Sequence, residues 1–247
     1  IDLGLFPIQP SELSKILIVL VLARFLSVYE EQVNRPHIVL LSFVLVAVPA
    51  FLIYRQPDLG TALVLIVIWL VMILIAGLHL RYLALLGVVS GMAAPVFWAS
   101  IQDYMRRRLL IFLNPSADPE ASYNVGQALI SIGSGGIWGK EFASGTQSQL
   151  HFLRVRHTDF IFSVIGEEMG LVGCLLLFAL LMVILMRIIR AGQLARDTFG
   201  RLIACGVATI IFFQSVVNIG MNLNLLPVTG IPLPFVSQGG SSLATLL

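Results

Sequence analysis

The sequence predicts an all-α polytopic integral membrane protein. Of its 247 residues, 58% are hydrophobic and only 11% are charged, whereas soluble domains carry about 25% charged residues. The charges also leave long gaps, because no Asp, Glu, Lys or Arg occurs in residues 36–54, 59–80, 82–102, 169–186 or 202–247. About 20 apolar helical residues cross the hydrocarbon core of a bilayer. These gaps therefore predict membrane helices.

The composition also excludes several classes of protein. A net charge of +2 leaves no basic stripe for phosphates, so no nucleic-acid partner is expected. Two cysteines without a CxxC motif exclude a disulfide scaffold and a zinc site of standard spacing. Cys174 and Cys205 both lie in apolar runs, where we interpret them as small packing residues.

The apolar runs and the signals that end them predict about seven membrane segments, the last of them truncated. Ser11, after Pro10, is predicted as the N-cap of the first segment. Pro57 separates the second from the third, because proline cannot continue a helix. The segments cover residues 13–29, 38–54, 59–78, 82–100, 160–189 and 202–222, with a partial seventh from Phe235.

Arginines in the short connections predict the orientation, because Lys and Arg are retained on the cytoplasmic side of a membrane. One side carries seven arginines and the other carries only Arg55 in its short connections. The seven are Arg24, Arg35, Arg81, Arg187, Arg190, Arg196 and Arg201. We therefore expect that side to be cytoplasmic, and residues 56–58, 101–161 and 223–235 to face outward.

The outward stretch 101–168 is about a quarter of the chain but holds 13 of its charges. Long loops are usually functional, and two parts of this one, 104–112 and 125–132, are predicted as short interfacial helices. Its glycine-rich segment 133–139 matches neither a Walker loop nor a GxGxxG motif. We interpret these glycines as allowing tight backbone turns.

Carboxylates are the best candidates for chemistry. Asp159 stands where the charged loop meets an apolar helix; it is either a helix cap or a partly desolvated carboxylate that acts as a base. Arg154, Arg156 and His157 beside it either neutralise a phosphate or solvate the rim. Glu167 and Glu168 follow, as partners of the helix dipole or as a pair that faces the bundle interior.

Other polar residues enter the predicted membrane helices. Glu12 and Lys15, three residues apart, form either an interfacial ion pair with Lys15 snorkelling or part of a polar substrate path. Asp58 is either a helix cap or an acid that lines a cavity. The Pro-rich segment 226–242 cannot be regular helix, and irregular backbone at membrane depth survives only in protein or beside a cavity. We interpret it as a cavity wall.

Five motifs together resemble the SEDS family of bacterial cell-wall proteins, and its RodA branch more than its FtsW branch. They occur in the family's order over essentially the whole chain. They are Gln9-Pro10-Ser11-Glu12-Leu13 with Lys15, Gln56-Pro57-Asp58-Leu59-Gly60-Thr61, Gly145-Thr146-Gln147-Ser148-Gln149-Leu150, His157-Thr158-Asp159-Phe160-Ile161-Phe162 with Glu167 and Glu168, and the Pro-rich segment ending Ser237-Gln238-Gly239-Gly240-Ser241. Departures include Gln238, where the family usually has Tyr.

The resemblance implies a ten-helix fold, of which this chain would supply about the fourth helix through the start of the tenth. The chain begins with Ile1 and ends inside an apolar run, so we expect a piece of a larger membrane protein that forms one membrane domain over 1–247. We expect no polymerisation from this piece alone. The implied location is the bacterial cytoplasmic membrane.

The implied activity is a peptidoglycan glycosyltransferase that polymerises lipid II in cell elongation, with Asp159 as the catalytic base. The implied partners of the protein are a class B penicillin-binding transpeptidase and the membrane lipid around it. A divalent cation, Mg²⁺ or Mn²⁺, is implied beside the leaving group, although the sequence shows no ligand signature for one. The residues expected to bind substrate are Glu12, Lys15, Gln9, Gln56, Asp58, Thr146, Gln147, Gln149, Arg154, Arg156, His157, Thr158, Ser237, Gly239, Gly240 and Ser241.

Two other functions fit the same residues. Polar helix residues and a broken segment would also serve a flippase for lipid-linked cell-wall precursors. A non-catalytic scaffold for the transpeptidase is the third interpretation.

Overall fold

A computed structural model describes residues 10–79, 81–82, 84–85, 87–88, 91–92, 95, 101–114, 119–140 and 159–237 of the chain. Every regular element within these residues is helical, which confirms the predicted all-α class. The helices are α1 Pro10–Val28, a 3₁₀ turn Glu30–Gln32, α2 Pro36–Tyr54, α3 Leu59–Ile75, α4 Asp103–Leu113, α5 Pro119–Gly135, α6 Ile161–Leu194 and α7 Thr198–Asn222.

Several of the described helices suit a membrane. Three of them, α2, α6 and α7, are long and apolar enough to cross one, and α3 is apolar but shorter, at 17 residues. α1 has 19 residues but carries Glu12, Lys15 and Arg24. The chain is therefore a multi-pass membrane protein.

The predicted interfacial helices are present as α4 and α5, and α5 is longer than predicted. For the predicted helix 82–100, the residues described between 81 and 95 are helical, and the rest lie outside the described residues. Of the partial seventh segment, residues 235–236 belong to a turn and Ser237 to a bend, and residues 238–247 lie outside the described residues.

Two details of the helix predictions were wrong. Ser11 is not an N-cap, because Pro10 is already helical and the fixed φ of proline suits a first turn. The predicted helix 160–189 is broken at Gly170, whose φ of 63° and ψ of −159° are not helical. Gly170 therefore divides α6 into two helical parts.

The chain divides into two compact units. The Asp159 unit comprises the described parts of Ile1–Glu12, Arg107–Arg187 and Ile211–Leu247. Its core includes the buried residues Phe162, Cys174, Ile219 and Leu233, which confirms the packing role expected of Cys174. This core joins the first half of α6, the end of α7 and the segment after α7.

The second unit comprises the described parts of Leu13–Arg106 and Ile188–Ile210. Within it, α2 packs on α3, where the indole nitrogen Nε1 of Trp69 donates to the buried hydroxyl of Ser42 (3.1 Å). The ring of Phe43 meets Trp69 edge to face, with centroids 5.1 Å apart. Cys205 belongs to this unit and is half-buried.

Asp58 caps α3, as one of its two interpretations expected. Its Oδ1 accepts a hydrogen bond from the backbone amide of Thr61 (3.0 Å). Asp58→Ala should therefore lower the free energy of unfolding by about 0.5–2 kcal/mol, whereas Asp58→Asn, which keeps an accepting oxygen, should cost much less. Thermal unfolding in detergent measures both variants; equal unfolding temperatures would contradict the cap.

Candidate functional site

Asp159 occupies the junction that the sequence predicted for it. It lies in a turn two residues before α6 and is partly exposed, whereas Phe160 and Phe162 on its helix side are each 3% exposed. Phe160 packs with Ala128 of α5 and Val228 of the segment after α7. The buried Phe160 next to Asp159 therefore fixes the backbone at this point of the chain, while Asp159 itself stays partly exposed to solvent.

Two asparagines of α7 hold the backbone carbonyl of Asp159. The Nδ2 atoms of Asn222 and Asn218 donate to it over 2.9 and 3.2 Å. The Oδ1 of Asn222 accepts from the backbone amide (3.2 Å) and hydroxyl (2.5 Å) of Ser163 in the first turn of α6. All three side chains are fully buried. Helix α7 thus fixes the turn that carries the candidate base.

The segment after α7, residues 223–237, borders the carboxylate. It is not helical after Asn222, which confirms the predicted irregular backbone for the described residues 226–237. Gly230 has a φ of 76°, and a β-carbon added there would lie 3.9 Å from Oδ2 of Asp159. Residues 223–237 therefore form one side of the site, and we call them the wall segment.

Polar contacts shape the wall segment. Asn218 donates through Nδ2 to the carbonyl of Ile231 (2.8 Å). The buried hydroxyl of Ser237 accepts from the backbone amide of Leu233 (2.8 Å). On the α4 side, Nη1 of Arg108 donates to the carbonyl of Val228 (2.9 Å). Arg108 thereby brings a cation to the segment that borders Asp159.

The glycine-rich turn packs against the break in α6. Gly136 and Gly139 have φ values of 57° and 84°, so the turns expected of these glycines are confirmed. Leu171 donates from its amide to the carbonyl of Gly136 (2.9 Å) and Val172 to that of Ile137 (3.2 Å). Amides freed by the break at Gly170 thus find acceptors in the turn.

An ion pair closes the same junction. Nζ of Lys140 lies 3.4 Å from Oε1 of Glu167, whose side chain is fully buried. The amide of Lys140 also donates to the carbonyl of Glu167 (3.0 Å). Of the two interpretations for Glu167, the structure places it in the interior. Glu168 is only half-buried.

The remaining predicted site residues fall into three groups. Glu12 and Lys15 lie on α1 at 4% and 3% exposure, so α1 carries two buried ionisable groups. Gln56 is exposed in the turn before α3, where Asp58 acts as the cap. Those outside the described residues are Gln9, Thr146, Gln147, Gln149, Arg154, Arg156, His157, Thr158, Gly239, Gly240 and Ser241.

Sequence reasoning missed Asn218, Asn222, Ser163 and Arg108 as parts of this site. One signal was available, because two asparagines spaced i, i+4 in an apolar run share a helix face, and polar residues inside membrane helices are commonly functional. Ser163 and Arg108 carry no such signal, since serine and arginine are ordinary at the start of a helix and in an interfacial helix.

The described residues offer no ligand set for the implied divalent cation. Among them, no three His, Cys, Asp or Glu side chains come together as a metal site. We therefore assign no cation ligands in this part of the chain.

The chain is similar in sequence to known proteins over its whole length. The model of the FtsW/RodA/SpoVE family, described as "Cell cycle protein", matches residues 1–247. The peptidoglycan glycosyltransferase MrdB (RodA) of Escherichia coli K12 is 43% identical over 100% of this chain and 67% of its own length. A probable peptidoglycan glycosyltransferase FtsW of Geobacter sulfurreducens is 38% identical over 98% of this chain and 65% of its own.

A solved structure agrees with the fold. A chain from a peptidoglycan synthase complex, described as coordinating polymerization and crosslinking, superposes with a TM-score of 0.78 and 33% identity over 99% of this chain and 68% of that one. The chain thus spans about two thirds of the length of the proteins it matches.

Proposed function

The chain belongs to the FtsW/RodA/SpoVE family of cell cycle proteins, and from this we propose that it forms the catalytic part of a peptidoglycan glycosyltransferase. The observation that carries the proposal is the placement of Asp159. A partly exposed carboxylate stands at the end of a membrane helix, bordered by the wall segment and held by buried amides. Relatives named for this activity match over nearly the full chain.

In the proposed reaction, the Asp159 carboxylate takes the proton from a sugar hydroxyl of one lipid-linked disaccharide. The hydroxyl oxygen then bonds to the anomeric carbon of a second lipid-linked sugar, whose bond to the pyrophosphate oxygen breaks. The lipid pyrophosphate leaves with the bonding electron pair. Base catalysis contributes typically about 10²–10⁴-fold, so positioning and charge stabilisation must supply the rest.

The leaving pyrophosphate needs positive charge beside it. The sequence offers three candidates for this charge, which are Lys15, Arg154 and Arg156. Arg108 joins them, because its hydrogen bond to Val228 directs a guanidinium to the wall segment two residues from Gly230. A guanidinium presents several donors in a planar fork that suits phosphate oxygens.

We further propose lipid II as the substrate, the bacterial cytoplasmic membrane as the location and a class B penicillin-binding transpeptidase as the partner. The likeness to a peptidoglycan synthase complex that joins polymerization to crosslinking supports that partner. The seven-arginine side would face the cytoplasm, which places Asp159 at the outer surface where a lipid-linked sugar is presented.

The direct test is the full-length protein, purified and reconstituted in liposomes with lipid II. Glycan polymer resolved by gel electrophoresis is the expected result. Transfer of lipid II between leaflets without any polymer would overturn the proposal in favour of a flippase. If neither occurs but the protein stimulates a bound transpeptidase, the scaffold interpretation replaces it.

A further inference from the structure

We infer that Asn218 and Asn222 are positioning residues for the reaction, which act by holding Asp159 and the wall segment in one arrangement. The inference rests on the proposed function, because it assigns Asp159 as the group that must be positioned. Both asparagines act on backbone atoms around it.

Asn222 bonds to two backbone groups that would bond to each other if α6 extended back to Asp159. In a regular α-helix the amide of residue 163 would donate to the carbonyl of residue 159. Here the Oδ1 of Asn222 accepts from the amide of Ser163 (3.2 Å), and its Nδ2 donates to the carbonyl of Asp159 (2.9 Å). The amide of Ser163 also donates to the carbonyl of Phe160 (3.1 Å), so Asn222 adds a second acceptor to this amide. The same side chain satisfies the carbonyl of Asp159, and α6 begins only after Asp159.

Asn218 links the same carbonyl to the wall segment. Its Nδ2 donates to the carbonyls of Ile231 (2.8 Å) and Asp159 (3.2 Å). An amide nitrogen has two hydrogens, and these two contacts use both. Since Gly230 precedes Ile231 and borders Oδ2 of Asp159, Asn218 sets the separation between the carboxylate and the wall segment.

The two asparagines also support each other. Nδ2 of Asn222 donates to the carbonyl of Asn218 (2.8 Å), one turn earlier in α7. Both side chains are fully buried, where networks of satisfied polar groups are rigid. Asn222, which holds the carbonyl of Asp159, is therefore itself held by Asn218 of α7 and by Ser163 of α6.

The test compares three variants of the full-length protein: Asn222→Ala, Asn218→Ala and Ser215→Ala. Ser215 is the matched control, because it is buried on α7 and its hydroxyl donates to the carbonyl of Ile211 within the same helix (2.7 Å). Each variant is assayed for kcat and KM with lipid II and for hydrogen exchange in the peptide that covers residues 159–165.

Both asparagine variants should lower kcat by about 10²-fold, because a displacement of about 1 Å can cost that much. KM should stay within about threefold in Asn222→Ala, since the hydrogen bonds of Asn222 to Asp159 and Ser163 position the base. The peptide 159–165 should exchange faster in Asn222→Ala. Ser215→Ala should change neither kcat nor exchange.

A second variant keeps the inference falsifiable if alanine prevents folding. Asn222→Leu is close to asparagine in size, so it leaves little cavity, but it can neither donate to the carbonyl of Asp159 nor accept from Ser163. It should lose kcat as Asn222→Ala does; a kcat equal to that of Ser215→Ala in folded protein would overturn the inference.

Failure of the proposed function is recognised separately. If Asp159→Asn polymerises as fast as the unmodified protein, Asp159 is not the base and the proposed mechanism is overturned. Exchange in residues 159–165 then still decides whether Asn222 holds this turn, because unchanged exchange in Asn222→Ala would exclude the bridge itself.

Discussion

Asp159→Asn should slow glycan polymerisation by about 10²–10⁴-fold, the contribution typical of general-base catalysis. The side-chain amide matches the carboxylate in shape but cannot take the proton of a sugar hydroxyl. The substitution leaves the asparagine contacts in place, because Asn218 and Asn222 bind the backbone carbonyl of residue 159. The initial rate of polymer formation at saturating lipid II measures the effect.

Asp197→Asn supplies a matched control for that measurement. Asp197 is an exposed carboxylate before α7 whose Oδ2 accepts from the amide of Gly200 (3.4 Å). Asparagine caps a helix about as well as aspartate, so the polymerisation rate should stay within about twofold of the unmodified protein. Equal rates in Asp159→Asn and Asp197→Asn would contradict the role of Asp159.

Gly170→Ala should destabilise the protein by about 2–6 kcal/mol, the combined range for a strained backbone and an overpacked site. Gly170 has a φ of 63° and a ψ of −159°, a region that is essentially restricted to glycine. A β-carbon there would lie 2.6 Å from the carbonyl oxygen of Ile137 and would also collide with the amide nitrogen of Gly139. Both are backbone atoms of the glycine-rich turn, which cannot move aside as a side chain can.

Gly133→Ala is the matched control for this prediction. Gly133 lies within α5, and a β-carbon added there would meet nothing within 4 Å. Alanine favours a helix over glycine by up to about 1 kcal/mol, so this variant should be as stable as the unmodified protein or slightly more so. Thermal unfolding in detergent compares the two variants. Equal unfolding temperatures would contradict the close packing of Gly170 against the glycine-rich turn.

The helices and the position of Asp159 could be predicted from the sequence because both depend on neighbouring residues. The charge-free runs have the length that a bilayer requires, and α2 and α3 end within a few residues of the predicted bounds. The transition from charged loop to apolar helix at Asp159 is likewise visible in consecutive residues. The prediction of Ser11 as an N-cap failed because serine and proline both favour the start of a helix, and the local sequence does not decide between them.

The break in α6 could not be predicted, because it depends on residues far away in the chain. The run from Met169 to Met186 carries no charge, and glycines are frequent in unbroken membrane helices. The break is stabilised by the carbonyls of Gly136 and Ile137, which accept from amides about 35 residues later. Asn222 and Ser163 are separated by 59 residues, so their contact is also a property of the fold.

The most direct test of Asp159 as the base measures lipid II binding and polymerisation on the same preparation of folded Asp159→Asn protein. A base that acts in the transition state should leave the affinity within about threefold of the unmodified protein while polymerisation falls by about 10²-fold or more. Undiminished polymerisation in that preparation, or a loss of rate explained entirely by lost binding, would contradict general-base catalysis by Asp159.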